Sequence, residues 1–318
     1  MWRHRTATAA LLGMTVLTVG KAALADVTYS FTPIDVPGAV FVDVKGINNA
    51  GQIVGSAFMV TLPVPVGYLD TGGIITTITA PGYAVVDAFA INDSGQILVS
   101  AIPNGSLTTA TYVDTGGTLL QIPCCFGLPG SPNAINNSGQ VAGSYDAPSP
   151  PQLTAGFVVN YAGGFVSSFY DPNEPYTFVT GLNNIGQVIG NTCCGDSAHA
   201  FVYDLGTGTF TTIDDPNGYE TYVTGINDNG QIVGYYWDAN GPHGFLDTGG
   251  VFTSIDDSSY LEGINDSGQI IGRTGSNDYF LATPVPVPVP EPGALPLLAA
   301  CLIGMFAVRG RYRWGKRT

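Results

Sequence analysis

Gly225 to Gly234 reads GINDNGQIVG, and Gly263 to Gly272 reads GINDSGQIIG. Four looser versions lie upstream, so the motif can be tracked by its first asparagine: Asn48, Asn92, Asn136, Asn183, Asn227 and Asn265. The intervals are 44, 44, 47, 44 and 38 residues. A period near 40 to 45 with strand-like content is the signature of propeller blades. Within the motif, Asn and Asp suit the start of a type I turn and Gly supplies the left-handed position that closes a short bulged hairpin. The structural turn glycines expected in that conformation are Gly51, Gly95, Gly139, Gly186, Gly230 and Gly268.

Between the motifs, short runs rich in Thr, Val, Ile, Phe and Tyr alternate with turn residues. One stretch, residues 199 to 236, holds AFVYD, TFTTID, YVTGI and QIVGYY separated by LGTG, DPNGYE and NDNG, which gives four strands per unit. The expectation is an all-β, six-bladed β-propeller of four-stranded blades over residues 26–284. The chain ends suggest how it closes. Residues 28 to 58 supply three strands of a unit, and one spare strand, Asp278 to Pro284, pairs with these N-terminal strands to complete the sixth blade. Closure of this kind removes exposed sheet edges. Alternating strand direction puts the two tight hairpins of each unit on one face and the longer connections on the other, where binding is tuned. Periodicity alone leaves open which strand lies nearest the axis.

Composition supports this reading: the chain is 45% hydrophobic and only 11% charged, with 43 Gly and 22 Pro among 318 residues. Its net charge of -14 hides an asymmetry. Between Asp26 and Glu291 only Lys45 and Arg273 are basic against 24 acidic residues, which leaves -22. Such a surface repels nucleic acid, whose binding depends on phosphate neutralisation by Lys and Arg. It attracts cationic partners. Calcium is compatible with that charge, but no calcium-loop motif indicates it, and no cofactor is expected.

Both ends read as addresses. Residues 1–25 have a basic start, an apolar run and Ala23-Leu24-Ala25 before Asp26, the pattern of a secretory signal peptide. A Pro-Val repeat spans residues 284–290 and favours an extended spacer. It leads into Val289, Pro290, Glu291, Pro292 and Gly293, an apolar run from Ala294 to Val308, and five Arg or Lys close behind. As a helix the run would rise roughly 22 Å, short of the roughly 30 Å hydrocarbon core, which makes it a short transmembrane helix. The expected domains are therefore 1–25 signal peptide, 26–284 propeller, 285–293 proline-rich spacer and 294–318 short helix with basic tail.

The C-terminal order strongly resembles the PEP-CTERM sorting signal of Gram-negative bacteria. That resemblance implies membrane retention through the C-terminal helix before processing, recognition by an exosortase and the export machinery, and an association with exopolysaccharide. The triplets HAF (199–201), HGF (243–245) and AGF (155–157), together with the GINDxGQIVG core, resemble HAF-repeat extracellular proteins. This second resemblance implies secretion and a repeat fold without an established reaction. The other units depart from it with GYL, ATY and DYF.

No nucleophile elbow, zinc helix or phosphate loop accompanies the few reactive residues. His199 and His243 share one repeat position, which favours a structural role at a strand edge. Cys124, Cys125, Cys193 and Cys194 are candidate disulfide cysteines in long loops on one face, with three pairings open. The pairs Asp214-Asp215 and Asp256-Asp257 recur at strand ends, where they suit Asx turns. The function expected is that of an exported, noncatalytic binding or structural propeller of the envelope or exopolysaccharide matrix. A polysaccharide-active hydrolase or lyase is the alternative, and a protein-docking platform the third.

Overall fold

In a computed structural model, the residues described are 27–285, excepting 63, 123–129, 148–152, 173, 175, 193–197 and 258. Twenty-four strands form six four-stranded antiparallel sheets. The first strand of each is the one that runs into the repeated turn: β2 (Ala39–Ile47), β6 (Tyr83–Ile91), β10 (Gly130–Ile135), β14 (Thr177–Leu182), β18 (Glu220–Ile226) and β22 (Ser259–Ile264). Residues of all six line common cavities, so these strands surround the axis. Next outward lie β3 (Gln52–Met59), β7 (Ile97–Pro103), β11 (Gln140–Ala147), β15 (Gln187–Thr192), β19 (Gln231–Asp238) and β23 (Ile270–Thr274). Third are β4 (Val66–Thr71), β8 (Ala110–Thr115), β12 (Leu153–Asn160), β16 (His199–Asp204), β20 (Gly241–Thr248) and β24 (Tyr279–Val285). The rim is β5 (Ile74–Thr77), β9 (Thr118–Gln121), β13 (Phe165–Phe169), β17 (Thr209–Ile213), β21 (Phe252–Asp257) and, closing the sixth blade, β1 (Thr28–Pro33).

The expected pairing of the two chain ends is present, because β24 neighbours β1. Its partition differs from the expectation: one N-terminal strand joins three C-terminal ones, and β2 and β3 belong to the first blade. The physical reason is that each blade starts at the strand before the INDxGQ turn. The stretch 199–236 therefore contains the outer half of the fourth blade and the inner half of the fifth.

Apolar clusters fill all six junctions between neighbouring blades. At the closing junction, Ile271 and Tyr279 of the sixth blade pack against Val44 and Ile53 of the first. Each blade also buries an aromatic at an equivalent place on its third strand: Tyr68, Tyr112, Phe157, Phe201, Phe245 and Phe280. This is the third position of HAF, HGF, AGF, ATY and DYF, and the second of GYL. The last Gly of GQIVG stands directly opposite that ring in five blades, for example Gly234 opposite Phe245. A Cβ on Gly234 would lie 2.0 Å from the Tyr222 carbonyl oxygen, so no side chain fits there. The second blade has Val99 in this place, and its inner strand carries a further bulge between Val85 and Asp87.

Candidate functional site

The repeated asparagine explains both the motif and the ring. Asn227 Oδ1 accepts from the backbone N–H of Asn229 and Gln231, while its Nδ2 donates to Gln231 Oε1 at 2.9 Å and to the Asn265 carbonyl of the next blade at 3.0 Å. The same bond to the next blade recurs from Asn48 to Asn92, Asn92 to Asn136, Asn136 to Asn183 and Asn183 to Asn227. Asn265 donates to the Asn48 carbonyl at 3.0 Å and completes the circle. All six asparagines are buried, so each bond is made where an unpaired amide would be costly. The six turn glycines have φ between 72 and 86°.

A second circle lies one residue further on. Each backbone N–H at Asn49, Asp93, Asn137, Asn184, Asp228 and Asp266 donates to the Oδ1 of its counterpart in the next blade, at 2.7 to 2.8 Å. These groups line a cavity of about 80 Å³ on the tight-turn face. Beneath it, Ile47, Ile91, Ile135, Leu182, Ile226 and Ile264 form an apolar collar shared with a second cavity of about 100 Å³. That second cavity opens toward the face of long connections.

Bulges build its wall. All six inner strands carry a β-bulge at the same place, three residues before the asparagine: Lys45, Phe89, Asn133, Thr180, Thr224 and Glu262. A bulge redirects a side chain out of the regular pleat, and all six line the cavity. Asn133, Thr180 and Thr224 reach forward to the carbonyls of Val179, Val223 and Leu261 in the following blade, at 2.7 to 2.9 Å. They stitch blades together. Lys45, Phe89 and Glu262 sit on three consecutive blades and bring charge and an aromatic ring instead.

Two residues before each bulge, on the same strand face, a wider layer divides into halves. Asp43, Asp87 and Ser131 occupy the first three blades; Phe178, Tyr222 and Tyr260 occupy the other three. Lys45 Nζ bonds Asp87 Oδ2 at 2.7 Å and lies 3.3 Å from Asp43 Oδ2. Asp87 Oδ1 is buried and has no hydrogen-bond partner. Tyr279 donates its hydroxyl to Asp43 Oδ1 at 2.9 Å across the closing junction. Glu262 Oε1 accepts from Arg273 Nε at 3.2 Å, and the guanidinium lies over the Tyr260 ring at 4.0 Å. Burial outweighs that arginine and pushes the Glu262 carboxyl up to about 7. Burial also lifts Tyr235, stacked on Tyr222, to about 12. Of the two Lys or Arg residues of the central stretch, Lys45 lines the second cavity itself and Arg273 is tied to it through Glu262.

Other candidates from the sequence lie elsewhere. His199 Nδ1 is 2.9 Å from Asp214 Oδ1 beside a cavity of about 260 Å³ that Asp171 and Glu174 also line. His243 Nε2 pairs with Asp238 Oδ1 at 2.9 Å. Asp215 is buried and caps its own turn through the Asn217 N–H. Among the described residues no group of His, Cys, Asp or Glu is arranged to hold a metal ion, and no helix is long and apolar enough to cross a membrane. Cys124, Cys125, Cys193, Cys194, the signal peptide, the sorting motif from Val289 to Gly293 and the apolar run after it lie outside the described residues. The sequence reading missed the bulge layer. Its signal was there: the residue three before an otherwise constant Asn changes type from blade to blade.

No family model and no curated protein matches the sequence. Solved structures do. TolB from Acinetobacter baumannii is similar at 11% identity and a TM-score of 0.52 over 74% of this chain, which spans 63% of that protein. A TolB protein from Agrobacterium tumefaciens matches at 12% identity and 0.52, over 78% of this chain and 91% of that one. The β-propeller domain of the Trilobed protease from Pyrococcus furiosus, described as having an open velcro topology, matches at 10% identity and 0.51, over 80% and 86%. At these identities the likeness concerns the fold. The chain is an all-β propeller of six four-stranded blades.

Proposed function

We propose that this chain is an exported, noncatalytic binding propeller of the cell envelope or its exopolysaccharide matrix, sorted through its C-terminal tail by an exosortase. Its binding surface is the second cavity, a funnel on the long-connection face. One observation carries the reading: the six blades repeat the asparagine that closes the ring, yet vary the side chain three residues before it, so framework and recognition are separated along one strand. Both ends of the described chain support it as well. β1 runs antiparallel to β24, with Ser30 against Thr283 and Ile34 against Tyr279, so residues 28 and 285 sit on the tight-turn face, away from the funnel.

A second reading, a polysaccharide hydrolase or lyase, is favoured by Glu262, since a carboxyl that titrates near neutrality suits a general acid. Light scattering on the source organism's exopolysaccharide, with and without the protein, separates the two. Larger particles in calcium and in chelator alike support matrix binding, and a shrinking polymer supports the enzyme. No change in either buffer overturns both and moves the reading to a protein partner. Sorting is tested by the mass of the mature chain with and without the exosortase: an unprocessed tail in both strains sinks that part.

A further inference from the structure

The long-connection face is acidic on one side and uncharged on the other. From Gly46 to Leu69 and from Ile97 to Val113 the chain carries no charged residue, so the hairpins β3–β4 and β7–β8, which the first and second blades send to this face, are neutral. Elsewhere the face carries Asp35, Asp171, Glu174, Asp214, Asp238 and Asp278. The neutral hairpins are also apolar at their ends. Val40, Phe41, Phe58, Val60, Leu62 and Val64 are all exposed there in the first blade. Phe41 stands opposite Phe58 with the rings edge-on at 6.3 Å, and the bulge after Ala39 turns Val40 out of the sheet. Val60 is 75% exposed, and Leu107 at the tip of the neighbouring hairpin is 99% exposed. The patch has a firm base: Ala39, Met59 and Val66 pack beneath it on Val36, Ala57 and Tyr68, and Ser106 and Thr108 bond each other on either side of Leu107. The equivalent tips of the fifth and sixth blades are polar and cap themselves, Asn240 N–H donating to Asp238 Oδ1 and Asp278 N–H to Thr274 Oγ1. Polar tips are the ordinary chemistry of such turns, so clustered apolar ones mark a contact surface.

Charge and position say what covers it. A second copy of the chain would bring another excess of negative charge toward a stretch that already carries -22. Zwitterionic lipid headgroups bring no net charge, and tips without carboxylates enter the interface without desolvating an ion. Side chains that stand almost wholly clear of the ring suit a deformable interface, whereas a rigid protein partner would need a matching pocket for each. The described chain also leaves the ring at Val285, on the sixth blade beside the first, nine residues ahead of the apolar run from Ala294 to Val308. We infer that the hairpin tips of the first and second blades form a peripheral membrane contact, with Val60, Leu62 and Leu107 seated roughly 5–10 Å into the headgroup and acyl boundary of a zwitterionic bilayer. The ring leans on this edge, and the acidic connections of the other blades are turned from the lipid. The contact belongs to the ring itself, so loss of the tail does not remove it, and it does not depend on what the funnel binds.

Hydrogen exchange of the full chain, alone and with phosphatidylcholine vesicles, tests this at the tips and so separates them from any contact made by the tail. Backbone amides at 60–64 and 104–109 should exchange roughly fivefold or more slowly with vesicles, because seated loops open less often to water. Amides at 184–186, on the tight-turn face, should be unchanged. Val60→Asp combined with Leu62→Asp should abolish the slowing at both hairpins while the full chain still sediments with the vesicles. Leu107→Asp, at a side chain that packs on nothing, is the second variant should the first fail to fold, and its binding of exopolysaccharide should be unaltered. A chain that does not sediment with vesicles, or that sediments with no slowing at the tips, overturns the inference. Slowing that appears without vesicles and grows with protein concentration overturns it in favour of a second copy. Neither result touches the funnel, whose reading falls only if polymer binding fails.

Discussion

Asn227 shows how much one side chain carries. It accepts two backbone bonds that hold its own turn and donates two, one of which joins the next blade. Alanine at this position leaves buried groups unpaired on two blades, and the expected cost is about 2–4 kcal/mol in denaturant unfolding. A loss within 0.5 kcal/mol would show that the circle adds little beyond packing. Gly234→Ala should be comparably severe, because the new Cβ would strike the Tyr222 carbonyl. Glu262 gives a pH signature. Its carboxyl is raised from 4.5 to about 7, so the native state holds a proton that the unfolded chain releases. That contribution is fully present below pH 4.5 and is lost as pH rises through 7, on the order of 1–2 kcal/mol after allowing for the exposed part of the side chain. Melting temperature should therefore fall between pH 5 and pH 8, and Glu262→Gln should flatten the slope; an unchanged slope would remove Glu262 from the account.

Among the elements, β1 decides whether the ring is closed or merely curled. It supplies the rim of the sixth blade, where Phe31 packs edge-on against Phe280 at 5.1 Å. Removing residues 28–33 should expose the edge of β24, lower the melting temperature and promote association through the unpaired strand. An unaltered melt and a monomeric product would mean that the asparagine circle alone suffices for closure. The number of strands and their short turns were legible because Gly, Asn and Asp mark turns chemically. The starting point of each blade was not. A repeat is a circle of symbols without a beginning, and only sheet pairing shows that β16 and β17 complete one blade while β18 opens the next.

For the molecule as a whole, the two faces have different tasks. The tight-turn face holds the closing circles and both described chain ends. The long-connection face holds the funnel, the two cations of the central stretch and the raised carboxyl. From the sequence alone came the six-fold count, the all-β class, the meeting of the two chain ends and the acidic character, since all of these follow from local turn chemistry, periodicity and composition. Only the tertiary structure decided what Lys45, Phe89 and Glu262 have in common. They are separated by 44 and 173 residues along the chain, and they become neighbours because each stands at a bulge in a strand beside the axis. Position relative to a closed ring is a property of the whole circle of contacts, and no single segment of the chain contains it.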